Sequence, residues 1–199
     1  MAWRTDGPAV LNNDHVRLAP ITEADREPLR AIALDPDIWQ YFVSRVESDA
    51  DFEAFFDLTL ADHQAGRRCV FIVTDKRTGL VAGSMSYGNL SEPDSRLEIG
   101  WSWLGRDSRG TGINRWAKLL LLEHAFERLG ALRVEFKTDV LNTRARRGLR
   151  NIGAVDEGTL RSYNPMPDGR RRDAIYYSVL AEEWPLVKKT LAEDPTVRA

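Results

Sequence analysis

The sequence predicts a mixed α/β (α+β) domain, and three observations carry that reading. Stretches of period-two alternation and stretches of helical period interleave as strand, two helices, three strands, helix, strand, helix, two strands. The loop RGTGIN (109–114) joins a strand directly to a long apolar helix, so the strands on either side of that helix form a parallel pair with a right-handed crossover. With 199 residues, 43% of them hydrophobic and six Trp, the chain can bury one sizeable core.

The elements follow in order. HVRLAPI (15–21) alternates apolar and polar residues as a first strand, ended by Pro20. TEADREPLRAIALD (22–35) opens on Thr22 with Glu23 and Asp25 in its first turn, where acidic groups suit the positive helix end. DPDIWQYFVSRVES is irregular or a short helix. The stretch 49–66 is a second amphipathic helix with Phe52, Phe55, Phe56 and Leu60 on one face and Gly66 as its stop. RCVFIVTD (68–75), the turn KRTG and LVAGSMSYGNL (80–90) make a hairpin. In SRLEIGWSWL (95–104), strict alternation puts Trp101 and Trp103 on one face and Glu98, Gly100 and Ser102 on the other. The long helix covers about 112–130 and ends at Gly130; LRVEFKTDV (132–140) is a strand, and 142–153 a short helix capped by Asn142. VDEGTLRSYN and RRDAIYYSVL are strands joined by PMPDG, and AEEWPLVKKTLAED (181–194) is a terminal helix.

Bulk properties exclude several classes. A net charge of -2 argues against nucleic-acid or membrane-surface binding. MAWRTDGPAV lacks the basic and apolar regions of a secretory signal, no window is apolar enough to span a membrane, and cytoplasmic placement is expected. The single cysteine, Cys69, sits in an apolar run and reads as a small core residue. The three histidines (15, 63 and 124) have no metal spacing, so no metal site is expected.

The loop at 109–114 admits three functional readings beside that of a plain glycine turn. A nucleotide P-loop needs Lys-Ser/Thr after its glycines, and none follows. A dinucleotide fingerprint needs a third glycine at 115, where Arg stands. The third reading needs only successive amides aimed at a pyrophosphate from a helix start, with Gly110 and Gly112 leaving room for its oxygens. Arg106, Arg109 or Arg115 would add charge.

With a lone Glu98 in the strand before the loop and Asn142 after the next strand, the chain resembles a GCN5-related N-acetyltransferase (GNAT), of the branch that includes the ribosomal-protein alanine N-acetyltransferases RimJ and RimL. HVRLAPITEAD, the long stretch from LEIGWSWL to KTDVLN, NIGAVDEGTLR and GRRRDAIYYSVLAEEW carry the resemblance in that order. It implies a single domain over 1–199, with its core at about 11–184 and a C-terminal helix and tail at 185–199. It also implies a mostly antiparallel sheet of six to seven strands whose parallel pair splays apart.

The resemblance further implies acetyl-CoA, or another acyl-CoA, as donor and a primary amine as acceptor, either a small molecule or a protein N-terminus. Homodimers are common in the family. The pantetheine arm would lie in the splay against backbone groups of Trp101, Ser102, Trp103 and Leu104. The amides of Arg109, Gly110, Thr111, Gly112, Ile113 and Asn114 would hold the pyrophosphate, and Glu98 would be the base. Asn142 would bond the thioester region, or cap its helix, or do both. The family's Asn-x-x-Ser reads NTRA here, so Ala145 replaces the serine that would protonate the thiolate. Thr143, Tyr163, Tyr176 and Tyr177 are the alternatives for that role.

Trp39, Tyr41, Phe42 and Tyr87 are expected either to wall the acceptor pocket or to pack the core. The arginines at 144, 146, 147 and 150 form a solvated face or reach a phosphate or an acidic acceptor, and GRRRD (169–173) reads as a charged turn. A catalytically weak acyl-CoA-binding module, suggested by Ala145, is the alternative to an enzyme.

Overall fold

The computed structural model describes Trp3 and residues 10–193. Most of the N-terminal stretch read for a signal, and the tail from 194 onward, lie outside the described residues. Eight strands form one sheet: β1 (Leu11–Asn12), β2 (Val16–Pro20), β3 (Cys69–Asp75), β4 (Val81–Ser91), β5 (Arg96–Leu104), β6 (Arg133–Asp139), β7 (Val155–Pro165) and β8 (Arg171–Leu180). Their order across the sheet is β1-β2-β3-β4-β5-β6-β8-β7. Among the described residues only β5 and β6 pair in parallel; every other neighbour is antiparallel. The sheet thus has one strand more than the six to seven expected. The addition is the two-residue β1, folded back on β2 by a turn in which Asn13 Oδ1 accepts from the amides of His15 and Val16. An element that short leaves no period to read.

The helices are α1 (Arg26–Ala33), α2 (Pro36–Trp39), α3 (Asp49–Gln64), α4 (Ile113–Glu123), α5 (Thr143–Asn151) and α6 (Trp184–Ala192). Thr22 does open its element, but a 3-10 turn precedes α1: the Thr22 amide donates to Asp25 Oδ2 at 2.7 Å. Ser48 caps α3 by accepting from the Asp51 amide at 3.2 Å. After α4 the helix widens into a π turn over His124–Arg128, and Gly130, at φ +69, ends it.

Alternation along β3 separates two apolar layers. Phe71 and Val73 face a large cluster under α4 and α6, which holds Tyr87, Leu97, Ile99, Leu121, Phe136 and Tyr177. Val70 and Ile72 face a smaller cluster under α1 to α3, with Leu29, Phe52, Phe56 and Trp103. Phe52 and Phe56 are fully buried and Phe55 and Leu60 half-buried, as the reading of α3 anticipated. Each such buried side chain stabilises the fold by about 1.5–3 kcal/mol. Cys69 is half-buried against the large cluster.

The expected alternation in β5 does not hold. Ser86 faces Gly100 while Ser84 faces Trp103, so two residues of β5, Trp101 and Ser102, oppose the single Met85 of β4. The extra residue makes a bulge at Trp101, whose φ is +48. Trp101 therefore lies on the same face as Glu98 and Trp103: its ring covers Gly88, the residue paired with Glu98, and the Arg68 guanidinium lies 5.0 Å from it. Both tryptophans share a face as expected, but it is the face of Glu98, and Ser102 is turned away from it.

Candidate active site

β5 and β6 are paired only from Arg96/Arg133 to Glu98/Glu135. β5 then continues to Leu104 and β6 to Asp139 without pairing, so a gap opens in the sheet. A cleft of about 710 Å³ occupies it. Glu98, Trp101, Ser102, Trp103, Leu104, Arg109, Gly110, Asn114 and Asn142 all line the cleft; Thr111, Gly112 and Ile113 do not. Ile113 buries its side chain in the large cluster, so only its amide is available to a ligand.

At the mouth, Gly110 (φ +77) and Gly112 (φ +88) adopt left-handed conformations, and Gly112 is the cap of α4. Among the described residues the amides of Gly110 to Asn114 have no acceptor, as a helix start leaves them. The three arginines expected to add charge are engaged elsewhere. Arg109 donates to the Leu104 carbonyl at 3.0 Å and meets Asp35 at 3.0 Å. Arg106 pairs with Asp35 and Asp37, and Arg115 holds the carbonyls of Thr190 and Leu191. Their work is to fasten the loop to α2 and α6 rather than to face its amides.

Glu98 is 3% exposed at the root of the gap. Its Oε2 accepts from Asn89 Nδ2 at 2.7 Å and stands 3.5 Å from Lys137 Nζ. Its Oε1 faces the space over Gly100, where a Cβ would come within 2.8 Å. Lys137 also lies 5.1 Å from the Tyr163 ring and 5.7 Å from the Tyr176 ring. Tyr163 lines the cleft and accepts at 3.0 Å from the Tyr176 hydroxyl. That hydrogen bond, helped by the Lys137 charge, holds Tyr163 below the usual phenol range, whereas burial raises Tyr176. Tyr177 is fully buried, accepts from Arg146 at 3.3 Å and is absent from the cleft wall. Thr143 is absent from it as well.

Asn142 caps α5 through the Ala145 amide at 3.0 Å, and both residues line the cleft. Of the aromatic set, Tyr41 and Phe42 form the wall. Trp39 is core instead, donating to the Ala33 carbonyl at 2.7 Å. Tyr87 lies on the opposite face, where it donates to the Leu121 carbonyl and touches His124. Among the described residues no group of His, Cys, Asp and Glu could hold a metal, and no helix is long and apolar enough to cross a membrane.

Sequence reasoning missed Lys118, Lys137 and Arg172, which all line the cleft. The GRRRD reading also needs correction. The turn is 166–169, and β8 starts at Arg171. Arg170 pairs with the buried Asp139, Arg171 bonds Ser162, and Arg172 is buried at 8% exposure because strand alternation turns it inward with Ala174 and Tyr176. That alternation was the available signal.

Lys118 lies under the gap on α4, with Nζ donating to Asn114 Oδ1 at 3.0 Å. Burial pushes its pKa down from 10.5 to about 8. Below pH 8 folded and unfolded chains both carry the charge, and the fold bears its desolvation. Between 8 and 10.5 the folded state has shed the proton and the unfolded state keeps it, so stability rises with pH. The rise amounts to about 3 kcal/mol. Urea unfolding across this window should show that rise as a difference between the wild type and Lys118→Met, which the other titrating groups share.

Residues 15–155 match the family model described as "Acetyltransferase (GNAT) domain". The chain is 34% identical over 106 residues to "Putative ribosomal N-acetyltransferase YdaF" of Bacillus subtilis (strain 168), an alignment spanning 53% of this chain and 57% of that protein. It is 27% identical over 179 residues to "Uncharacterized N-acetyltransferase p20" of Bacillus licheniformis, spanning 87% and 97%. A crystal structure of a GCN5-related N-acetyltransferase from Brucella melitensis superposes with a TM-score of 0.85 at 25% identity, covering 92% of this chain and 83% of that one.

Proposed function

The chain belongs to the GNAT acetyltransferase family, and on that premise we propose that it transfers an acetyl group from acetyl-CoA to a primary amine by direct attack. One observation carries the reading: the gap between β5 and β6 has unbonded amides at its mouth and a carboxylate at its root. The residues present fit a CoA thioester, with amides of Gly110 to Asn114 for a pyrophosphate and free strand edges for an amide-bearing arm. Acetyl-CoA supplies the activated acyl group and a thiol of low basicity.

The chain's own residues divide the remaining work. Glu98 takes the proton of the incoming amine, directly or through a water, at Oε1, the oxygen that Asn89 and Lys137 leave free. The amine needs this help, since an α-amino group has a pKa of about 8 and a lysine about 10.4. A backbone amide on the free edge of β5 stabilises charge on the acyl oxygen. Asn142 Oδ1 is committed to its helix cap, so only its amide nitrogen is left for the thioester region. Tyr163 is the hydroxyl in the cleft with a lowered pKa, and it takes the role that Ala145 leaves open.

The test is free-thiol release from acetyl-CoA with a panel of primary amines. Ala145→Ser should raise kcat by a factor of a few, up to about tenfold, because a hydroxyl there faces the cleft. An unchanged kcat would show that the thiolate gains nothing from a donor at 145. Ala145 also motivates a second reading, an acyl-CoA-binding module. Thermal stabilisation by CoA without thiol release from any amine would favour it.

A further inference from the structure

Arg172 stands apart from every other arginine of the site. It is 8% exposed and lines the cleft. Its Nε donates to Asn164 Oδ1 at 3.0 Å, and its two Nη groups have no acceptor among the described residues. Arg170, two positions earlier, has the carboxylate of Asp139; Arg172 has none within ion-pair distance. Burial pushes its guanidinium below the ordinary arginine value, while the charges of Asp139, Tyr163 and Glu98 act from further off in the other direction. A buried charge without a counter-ion is costly, and a ligand anion is the direct way to relieve it.

The position of Arg172 separates it from the coenzyme's phosphates. By alternation it lies on the face of Lys137 and Tyr176, the same face as Glu98, beside Tyr163 and Asn164. The amide cradle lies at the start of α4, which packs on the other face of the sheet with Leu97 and Ile99. The charge census points the same way. Among the described residues Glu98 is the only carboxylate on the cleft wall, against the cations Lys118, Lys137, Arg144 and Arg172, with Arg109 already paired to Asp35. A polycationic amine would meet a surplus of like charge there. An amine that brings its own anion would not. The remaining wall of this half is apolar: Ile38, Tyr41 and Phe42.

We propose that Arg172 is an acceptor-binding residue, and that the acceptor is a small α-amino acid-like amine whose carboxylate pairs with Arg172 while its amine meets Glu98 and its apolar side chain lies against Ile38, Tyr41 and Phe42. The proposal rests on the acetyl-transfer reading for its chemistry, but not for its binding geometry. A bidentate guanidinium–carboxylate pair fixes orientation as well as position, which a lone ammonium would not.

The experiment compares three probes with one side chain: L-phenylalanine, L-phenylalanine amide and phenethylamine. Each is measured by thiol release from acetyl-CoA and by calorimetric binding to the CoA-saturated full chain. L-Phenylalanine is expected to exceed the other two by about 10²-fold in kcat/KM and in affinity, since a buried charged pair carries the difference. Arg172→Met should bring the three probes to within about threefold of one another, chiefly through KM for phenylalanine, and Arg172→Lys should restore part of the preference. Thermal unfolding checks that each variant is folded, and the wild-type preference stands independently of both. Equal use of the three probes by the wild type, or an unchanged preference in folded Arg172→Met, overturns the proposal. Carboxylate-selective binding without thiol release upholds Arg172 and sinks the acetyl-transfer reading instead.

Discussion

Glu98→Gln is expected to lower thiol release from acetyl-CoA by about 10²–10⁴-fold, the range for losing a general base. The substitution is nearly isosteric. A Gln carbonyl can still accept from Asn89 at the place where Oε2 now does, so the local packing is retained. What disappears is the ability to take a proton at Oε1 and the charge facing Lys137 at 3.5 Å. Lys137 keeps its contacts with the rings of Tyr163 and Tyr176. CoA affinity should change little, because the Glu98 carboxylate is engaged by Asn89 and Lys137 and makes no bond to the unbonded amides of Gly110 to Asn114. Rate in the variant should also climb more steeply with pH up to the amine's own pKa, as solvent replaces the carboxylate as proton acceptor. A thiol-release assay across pH, with calorimetry for CoA, reads both. Activity within threefold of wild type would remove Glu98 from the mechanism.

The second large effect concerns stability. Gly83 sits in β4 at φ +152, opposite Leu104, and a Cβ built there would lie 2.1 Å from the Trp103 carbonyl oxygen and 2.8 Å from the Leu104 Cα. Both obstacles are backbone, so no rotamer change relieves them. Gly83→Ala must separate β4 from β5 or distort both, in addition to holding a conformation that suits glycine. The expected cost is about 3–5 kcal/mol, from overpacking and backbone strain together. Urea denaturation measures it. The damage should also reach function, since Leu104 ends β5 and the Gly105 amide bonds the Ala82 carbonyl at 2.9 Å just before the loop. CoA affinity should therefore fall in any fraction that folds. A loss under 1 kcal/mol would mean that the two strands have room that the geometry denies them.

These two glycine and carboxylate positions show how unevenly the site was written in the sequence. Glu98 was legible because a charge interrupts an apolar strand beside a glycine. Gly83 was not: a glycine in a strand announces close approach of something, but not of what. Asn142 was legible as a cap because capping is settled within three residues. Trp101 was misassigned because a bulge is set by the mismatch between β4 and β5, and period two cannot register an extra residue. For Tyr87 and Trp39 the sequence left pocket wall and core packing both open, and the structure places both in the core.

The sequence by itself determined the parts and their order, the glycine loop that starts α4, the lone carboxylate before it and the missing serine at 145. The missing serine shows only against the family resemblance; the rest follow from periodicity, turn chemistry and spacing, which act over a few residues. Only the tertiary structure decided which cations are free. Arg109, Arg106 and Arg115 look available in a line of text, yet Asp35, Asp37 and the end of α6 occupy them, while Arg172 looks like one of three solvated arginines and is the one left buried without a counter-ion. Charge pairing and desolvation depend on which strands and helices become neighbours, and that is a property of the folded sheet rather than of any stretch of chain.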